Sequence, residues 1–241
     1  MFANLVHLLH SLKMKNLIAK KLLLGITLLF ATQIQAIFLG RQVGVGSDDV
    51  SRKWTGSAWD WYLNGTAIYV GYWASTGFKC GGGMRWTNIT ILGSAIIDSA
   101  FIKVYAYQNL SYKTVNSKIQ GEDTANATTF TATDDYLDRN KTTAVVNWNS
   151  VEAFVDANWY QSPDIKTVVQ EIVNRNDWAS GNAMVIFWQD FDNLSTQIAN
   201  VCRQYRTREW SAALGCSLKI YYSEPPPAGF QGQVILIDTG D

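Results

Sequence analysis

Beyond residue 36 the apolar residues recur mostly at every second position, the mark of strands that bury one face. In Ala100 to Tyr107, the residues Ala100, Ile102, Val104 and Ala106 form one face, and Phe101, Lys103, Tyr105 and Tyr107 form the other. In Leu214 to Tyr222 the apolar set is Leu214, Cys216, Leu218, Ile220 and Tyr222, opposed by Gly215, Ser217, Lys219 and Tyr221. The same periodicity predicts strands over 37–45, 66–73, 83–86, 113–121, 129–131, 144–148 and 183–191, with Gly, Asn, Asp and Ser between them. Residues 183–188 are apolar on both faces, as a central strand covered on both sides requires. One segment departs from period two. Ile165, Val168, Val169, Ile172 and Val173 follow helical spacing behind Ser162-Pro163-Asp164, which predicts a surface helix over 164–175, with Ser162 as cap and Trp178 packed behind it. This pattern predicts an all-β antiparallel sandwich with one short helix.

Residues 1–36 read as a signal peptide: lysines, an apolar run over 22–31, and small Ala36 before the expected cut. The apolar run is about ten residues, short of the roughly 20 needed to span a bilayer, so no membrane span is expected after cleavage. Met14 is a second candidate start. The run Pro225-Pro226-Pro227 closes the domain, so the chain divides into a leader (1–36), a sandwich domain (37–224) and a Pro-rich linker and tail (225–241).

Charge changes the picture once the leader is set aside. The whole chain has 20 bases and 20 acids, but the leader holds Lys13, Lys15, Lys20 and Lys21 and no acid. The remainder is mildly acidic and lacks a basic run, which argues against nucleic acid as a partner. Both histidines, His7 and His10, lie in the leader. Without it, Ser-His-Asp and Cys-His catalysis and His-ligated zinc are excluded, and the expectation is a protein that is not an enzyme. A carboxylate pair, Glu122 with Glu209, is the remaining arrangement for glycoside cleavage.

Three cysteines follow the leader, in an oxidising compartment. Cys202 and Cys216 flank a segment that reads as a hairpin; a disulfide closing that loop would contribute about 3 kcal/mol. That leaves Cys80, in a glycine loop, as a free thiol or an intermolecular partner. Aromatic residues make up 13% of the chain, and seven of them (Trp54, Trp59, Trp61, Tyr62, Tyr69, Tyr72, Trp73) crowd one short stretch. Flat rings stack on the C–H faces of sugars and equally fill sandwich cores. Trp59, Trp61, Tyr69 and Trp73 are the candidate ligand-binding residues, and Phe101, Tyr105 and Tyr107 form a second strip, with a covering helix or loop the favoured reading. Asp48, Asp49, Asp190 and Asp192 are candidate ligands for a structural Ca2+, against the alternative of solvated turns. Arg85, Glu122, Arg139, Arg208 and Glu209 sit in aromatic-flanked phrases where ion pairing is expected.

Several phrases occur together: Gly83-Met84-Arg85-Trp86, Ile119-Gln120-Gly121-Glu122, Thr129-Phe130, Arg139 with Thr142 and Val146-Asn147-Trp148, Pro163-Asp164 to Arg175, Trp178-Ala179-Ser180-Gly181-Asn182, and a closing Tyr221-Tyr222. In this order the chain resembles the DNRLRE-type secreted bacterial jelly-roll domains, over roughly residues 47–222, although the naming motif itself is absent. The resemblance implies a jelly-roll β-sandwich and a non-catalytic extracellular module, in some relatives carbohydrate-binding. The expected function is recognition of a polysaccharide or cell-surface glycan. The alternative is a structural or adhesion module of an envelope or virion appendage, with residues 228–241 pairing to a neighbouring chain.

Overall fold

The computed structural model describes residues 13–17, 36–73, 78–109, 113–131 and 136–225. Residues 13–17 are helical; the rest of the expected leader, and the tail from 226, lie outside the described residues. Residues 36–225 form one compact unit. Its strands in chain order are β1 (Ile37–Gln42), β2 (Asp49–Trp54), β3 (Trp59–Tyr62), β4 (Ala67–Trp73), β5 (Phe78–Ile89) and β6 (Ile96–Tyr105). They continue as β7 (Ser117–Gly121), β8 (Val146–Trp148), β9 (Trp159–Gln161), β10 (Asn182–Gln189), β11 (Val201–Arg206) and β12 (Ser217–Ser223), with a helix, α1 (Lys166–Val173), after β9.

Every pairing is antiparallel, and the strands make two sheets. The smaller runs β1-β12-β6-β9; the larger, of eight strands, runs β11-β4-β5-β10-β7-β8, with β2 on β5 and β3 on β2. Their apolar faces meet in one core. Ala100, Ile102 and Val104 of β6 and Leu218 and Ile220 of β12 face Met84 and Trp86 of β5 and Met184, Ile186 and Trp188 of β10. Burying each large apolar side chain stabilises the fold by roughly 1.5–3 kcal/mol. Within this core Trp148, Trp188 and Tyr205 form a column of near-parallel rings, with centroids 4.5 and 5.4 Å apart and both interplanar angles 20°. The Trp188 indole N–H donates to Ser117 Oγ at 2.7 Å.

The other face of β10 is also covered, as its two-sided apolar pattern required. Val185 and Phe187 pack with Val50, Ala127 and Phe130 in a second cluster, under Trp61, Leu63 and Phe191. Ion pairs are buried with this layer. Arg139 Nη1 meets Glu122 Oε2 at 2.8 Å, and Arg85 Nη1 meets Asp48 Oδ1 at 2.9 Å. The helix buries Val168, Val169, Ile172 and Val173 in the main core, and Trp178 is buried behind it, donating to the Ile91 carbonyl at 2.9 Å. Its start differs in detail from expectation. Ser162 Oγ accepts from the Ile102 N–H and donates to the Pro163 carbonyl, while Asp164 Oδ1 accepts from Lys166 N–H at 3.0 Å and Ala100 N–H at 2.9 Å. Asp164, not Ser162, satisfies the first turn.

Three expectations are corrected. Cys202 and Cys216 do not form a disulfide: all three cysteines are free and buried. The hairpin that motivated the bridge does not exist, because β11 pairs with β4 in the larger sheet while β12 pairs with β6 and β1 in the smaller. Cys80 lies within β5, not in a glycine loop. The run Gly81-Gly82-Gly83 is the middle of that twelve-residue strand because other groups press on it. A Cβ at Gly81 would lie 2.5 Å from Gln189 Cβ, at Gly82 2.4 Å from Ile68 Cγ2, and at Gly83 2.8 Å from Phe130 Cζ. Residues 129–131, read as a strand, instead join the cover of the larger sheet, with Phe130 N–H on the Ser47 carbonyl.

Candidate functional site

The two sheets differ in what lies over their outward faces. Along β6 and β12 buried and less buried residues alternate, so each strand turns one set of side chains to the core and the other away from it. On the outward side of the smaller sheet the register sets up cross-strand rows. Phe38, Tyr221 and Ser99 form the first; Gly40, Lys219 and Phe101 the second; Gln42, Ser217, Lys103 and Gln161 the third; Tyr105 and Trp159 the fourth. None of these residues is buried. Successive rows are spaced about 7 Å apart.

This face carries rings and cations. Phe38 is 54% exposed, Trp159 40% and Tyr221 38%. Phe38 and Tyr221 have centroids 5.0 Å apart, and Tyr105 meets Trp159 edge-on at 5.2 Å. Lys103 Nζ lies 5.5 Å from the Trp159 ring. Partial burial and then the adjacent Lys219 amine lower the pKa of Lys103. None of the residues in the four rows is acidic. The result is an apolar, ring-bearing strip flanked by amide, hydroxyl and ammonium donors, suited to a flat polyhydroxylated ligand.

The four aromatics singled out from sequence do not share one platform. In the β2–β3 hairpin, Arg52 opposes Trp61 and Lys53 opposes Asp60, so alternation places Arg52 with Trp59 and Trp61 on one side and Lys53 with Tyr62 on the other. Arg52 lies 4.8 Å from the Trp59 ring and 5.9 Å from Trp61, whose indole N–H donates to the Thr131 carbonyl. Lys53 Nζ lies 4.4 Å from Tyr62, 4.7 Å from Tyr69 and 4.4 Å from Trp73. Both groups of rings therefore stack on the protein's own cations. Burial lowers the pKa of Lys53.

The four candidate calcium ligands are also dispersed among local partners. Asp48 accepts from Arg85 and from Thr129 Oγ1 at 2.8 Å. Asp190 accepts the Leu194 and Ser195 N–H groups at 2.8 and 3.0 Å, closing its own turn, and Asp192 pairs with Lys118 at 2.7 Å. Asp49 Oδ2 accepts the Arg208 N–H at 2.8 Å, while its Oδ1 and Glu209 Oε2 are buried without a partner. Burial, and then the neighbouring Glu209 carboxylate, push the Asp49 carboxyl up to about 8. Among the described residues no three His, Cys, Asp or Glu side chains converge as a metal site. Glu122 is engaged with Arg139 and Glu209 lies against Gly46 beside Asp49, so the two carboxylates proposed for glycoside cleavage belong to separate local clusters.

Sequence reasoning found part of the outward face in Phe101 and Tyr105 but missed Phe38, Trp159 and Tyr221 as its members. The alternation of β12 already turned Tyr221 away from the core. What assembles these rings is strand register, which no local pattern displays. The helix expected over this strip lies elsewhere: residues 162–165 bond to the edge of β6 and α1 enters the core. No protein-family description and no curated protein matches the sequence. Among the described residues no helix is long and apolar enough to cross a membrane.

Proposed function

We propose that the chain is a secreted, non-catalytic binding module of jelly-roll type that recognises a polysaccharide or cell-surface glycan on the outward face of its smaller sheet. One observation carries this reading: Phe38, Tyr221, Phe101, Tyr105 and Trp159 line a face whose four cross-strand rows hold no buried residue, while the outer side of the larger sheet at β10 is covered by Phe130, Trp61 and Phe191. Rings held on paired strands are pre-positioned, so stacking a sugar on them orders few side chains and retains more of the contact energy. Trp59, Trp61, Tyr69 and Trp73, the residues first favoured, support the hairpin by stacking on Arg52 and Lys53. The resemblance to DNRLRE-type modules points in the same direction.

Affinity electrophoresis across a panel of soluble polysaccharides tests the proposal. Retardation on at least one polymer is expected, reduced about tenfold in affinity by Trp159→Ala and by Tyr221→Ala and little changed by Trp59→Ala. Retardation on none, or retardation lost with Trp59→Ala and kept in the other two variants, refutes it.

A further inference from the structure

We propose that Arg206, clamped between Tyr107 and Trp210, reads a carboxylate carried by the bound glycan; this rests on the glycan reading of the neighbouring face and names the chemistry of its ligand. The guanidinium carbon lies 3.6 Å from the Tyr107 ring centroid and 3.7 Å from that of Trp210. The two rings are 6.5 Å apart at 21°, the spacing of two aromatic planes with a third plane between them. Stacking of this kind fixes the guanidinium plane and directs its five N–H groups sideways, past the ring edges. Among the described residues none accepts a hydrogen bond from them; the guanidinium is held by the two rings, and the Arg206 backbone pairs with Ala67 in β4. Trp210 is 53% exposed, so the clamp stands at the surface.

Its location ties the clamp to the aromatic face. Tyr107 follows Tyr105 by two residues, and the intervening Ala106 is buried and bridges to Tyr205, so Tyr107 continues the same side of the strand about 7 Å beyond the fourth row. The Tyr107 N–H donates to the Gln204 carbonyl at 2.9 Å, which fixes the platform. A planar, pre-oriented fork with unengaged donors matches the two coplanar oxygens of a carboxylate. Lys103 in the third row and Lys219 in the second carry charge of the same sign farther along the face.

The test uses the full chain and two kinds of probe. Titration with galacturonate at constant ionic strength is expected to shift the Arg206 Nε–Hε resonance saturably, while galactose leaves it in place. Arg206→Lys keeps the charge but removes the fork; it is expected to weaken binding to polygalacturonate at least tenfold and to leave binding to the carboxyl-reduced polymer unchanged. An Nε–Hε resonance indifferent to galacturonate, or equal binding of both polymers by wild type and variant, overturns the inference. A sulfate-induced shift as large as the galacturonate shift overturns the assignment to a carboxylate. If neither polymer binds, the glycan reading of the sheet fails, and the monomer titration still decides the role of Arg206.

Discussion

Replacing Asp49 by Asn separates two contributions that the wild-type side chain combines. Asp49 Oδ2 anchors the turn after β11 by accepting the Arg208 N–H, and its carboxyl faces Glu209 with Asp48 close by. Burial, and then Glu209, raise the Asp49 pKa from 3.8 to about 8, against the acceptor contribution of the Arg208 N–H. The folded state therefore holds a proton that the unfolded chain releases above its ordinary carboxyl pKa. A raised carboxyl contributes stability that is complete below 3.8 and is lost as pH rises toward 8. Between those limits the slope approaches about 1.4 kcal/mol per pH unit, so pH 5 to pH 7 removes up to about 2.7 kcal/mol. With a urea m-value of about 2 kcal/mol/M, the midpoint falls by up to roughly 1.4 M over that interval. Asn preserves the acceptor for Arg208 and cannot ionise. Urea unfolding of wild type and Asp49→Asn at each pH from 5 to 9 should show a smaller fall in the variant, the contribution of other carboxylates being common to both. Parallel pH profiles would refute the raised Asp49 carboxyl.

Two further outcomes follow from the packing. Gly82→Ala places a Cβ 2.4 Å from Ile68 Cγ2 and 2.9 Å from the Val50 carbonyl, and the backbone oxygen cannot move aside without disturbing β2; a loss of about 2–3 kcal/mol and a fall in Tm of about 5–10 °C are expected by thermal unfolding, and an unchanged Tm contradicts the close approach. Cys80, Cys202 and Cys216 are buried as free thiols, and burial pushes the Cys202 thiol up to about 11, so a thiol reagent at pH 8 should label none in the native protein and all three in denaturant without reductant; fewer than three under the latter condition would reveal a disulfide.

What local pattern could reveal, it did: the alternation in β6 and β12 identified their core residues, the two-sided apolar run in β10 required a second cover, and the spacing from Ile165 to Val173 placed α1. The errors have physical causes. Asp49–Trp54 and Trp59–Tyr62 carry no strand signature because their outward positions hold Arg52, Trp59 and Trp61, which stack on one another and erase the polar half of the pattern. Three consecutive glycines signalled a loop, whereas their small size admits Ile68, Gln189 and Phe130 against a central strand. The switch of the chain from one sheet to the other between Arg206 and Ser217 is a long-range choice of pairing partner, and with it went the supposed disulfide. The candidate site was legible only as Phe101 and Tyr105; Phe38, Trp159 and Tyr221 join them through register.

The stacked rings of Trp148, Trp188 and Tyr205 come from β8, β10 and β11, three strands of the larger sheet of which no two are neighbours. Their transition dipoles can couple only while those strands are assembled, which gives the molecule an intrinsic optical marker of its tertiary order. Circular dichroism in the aromatic bands thereby reports the joining of the larger sheet without an added label, and separates that event from the mere presence of β-structure.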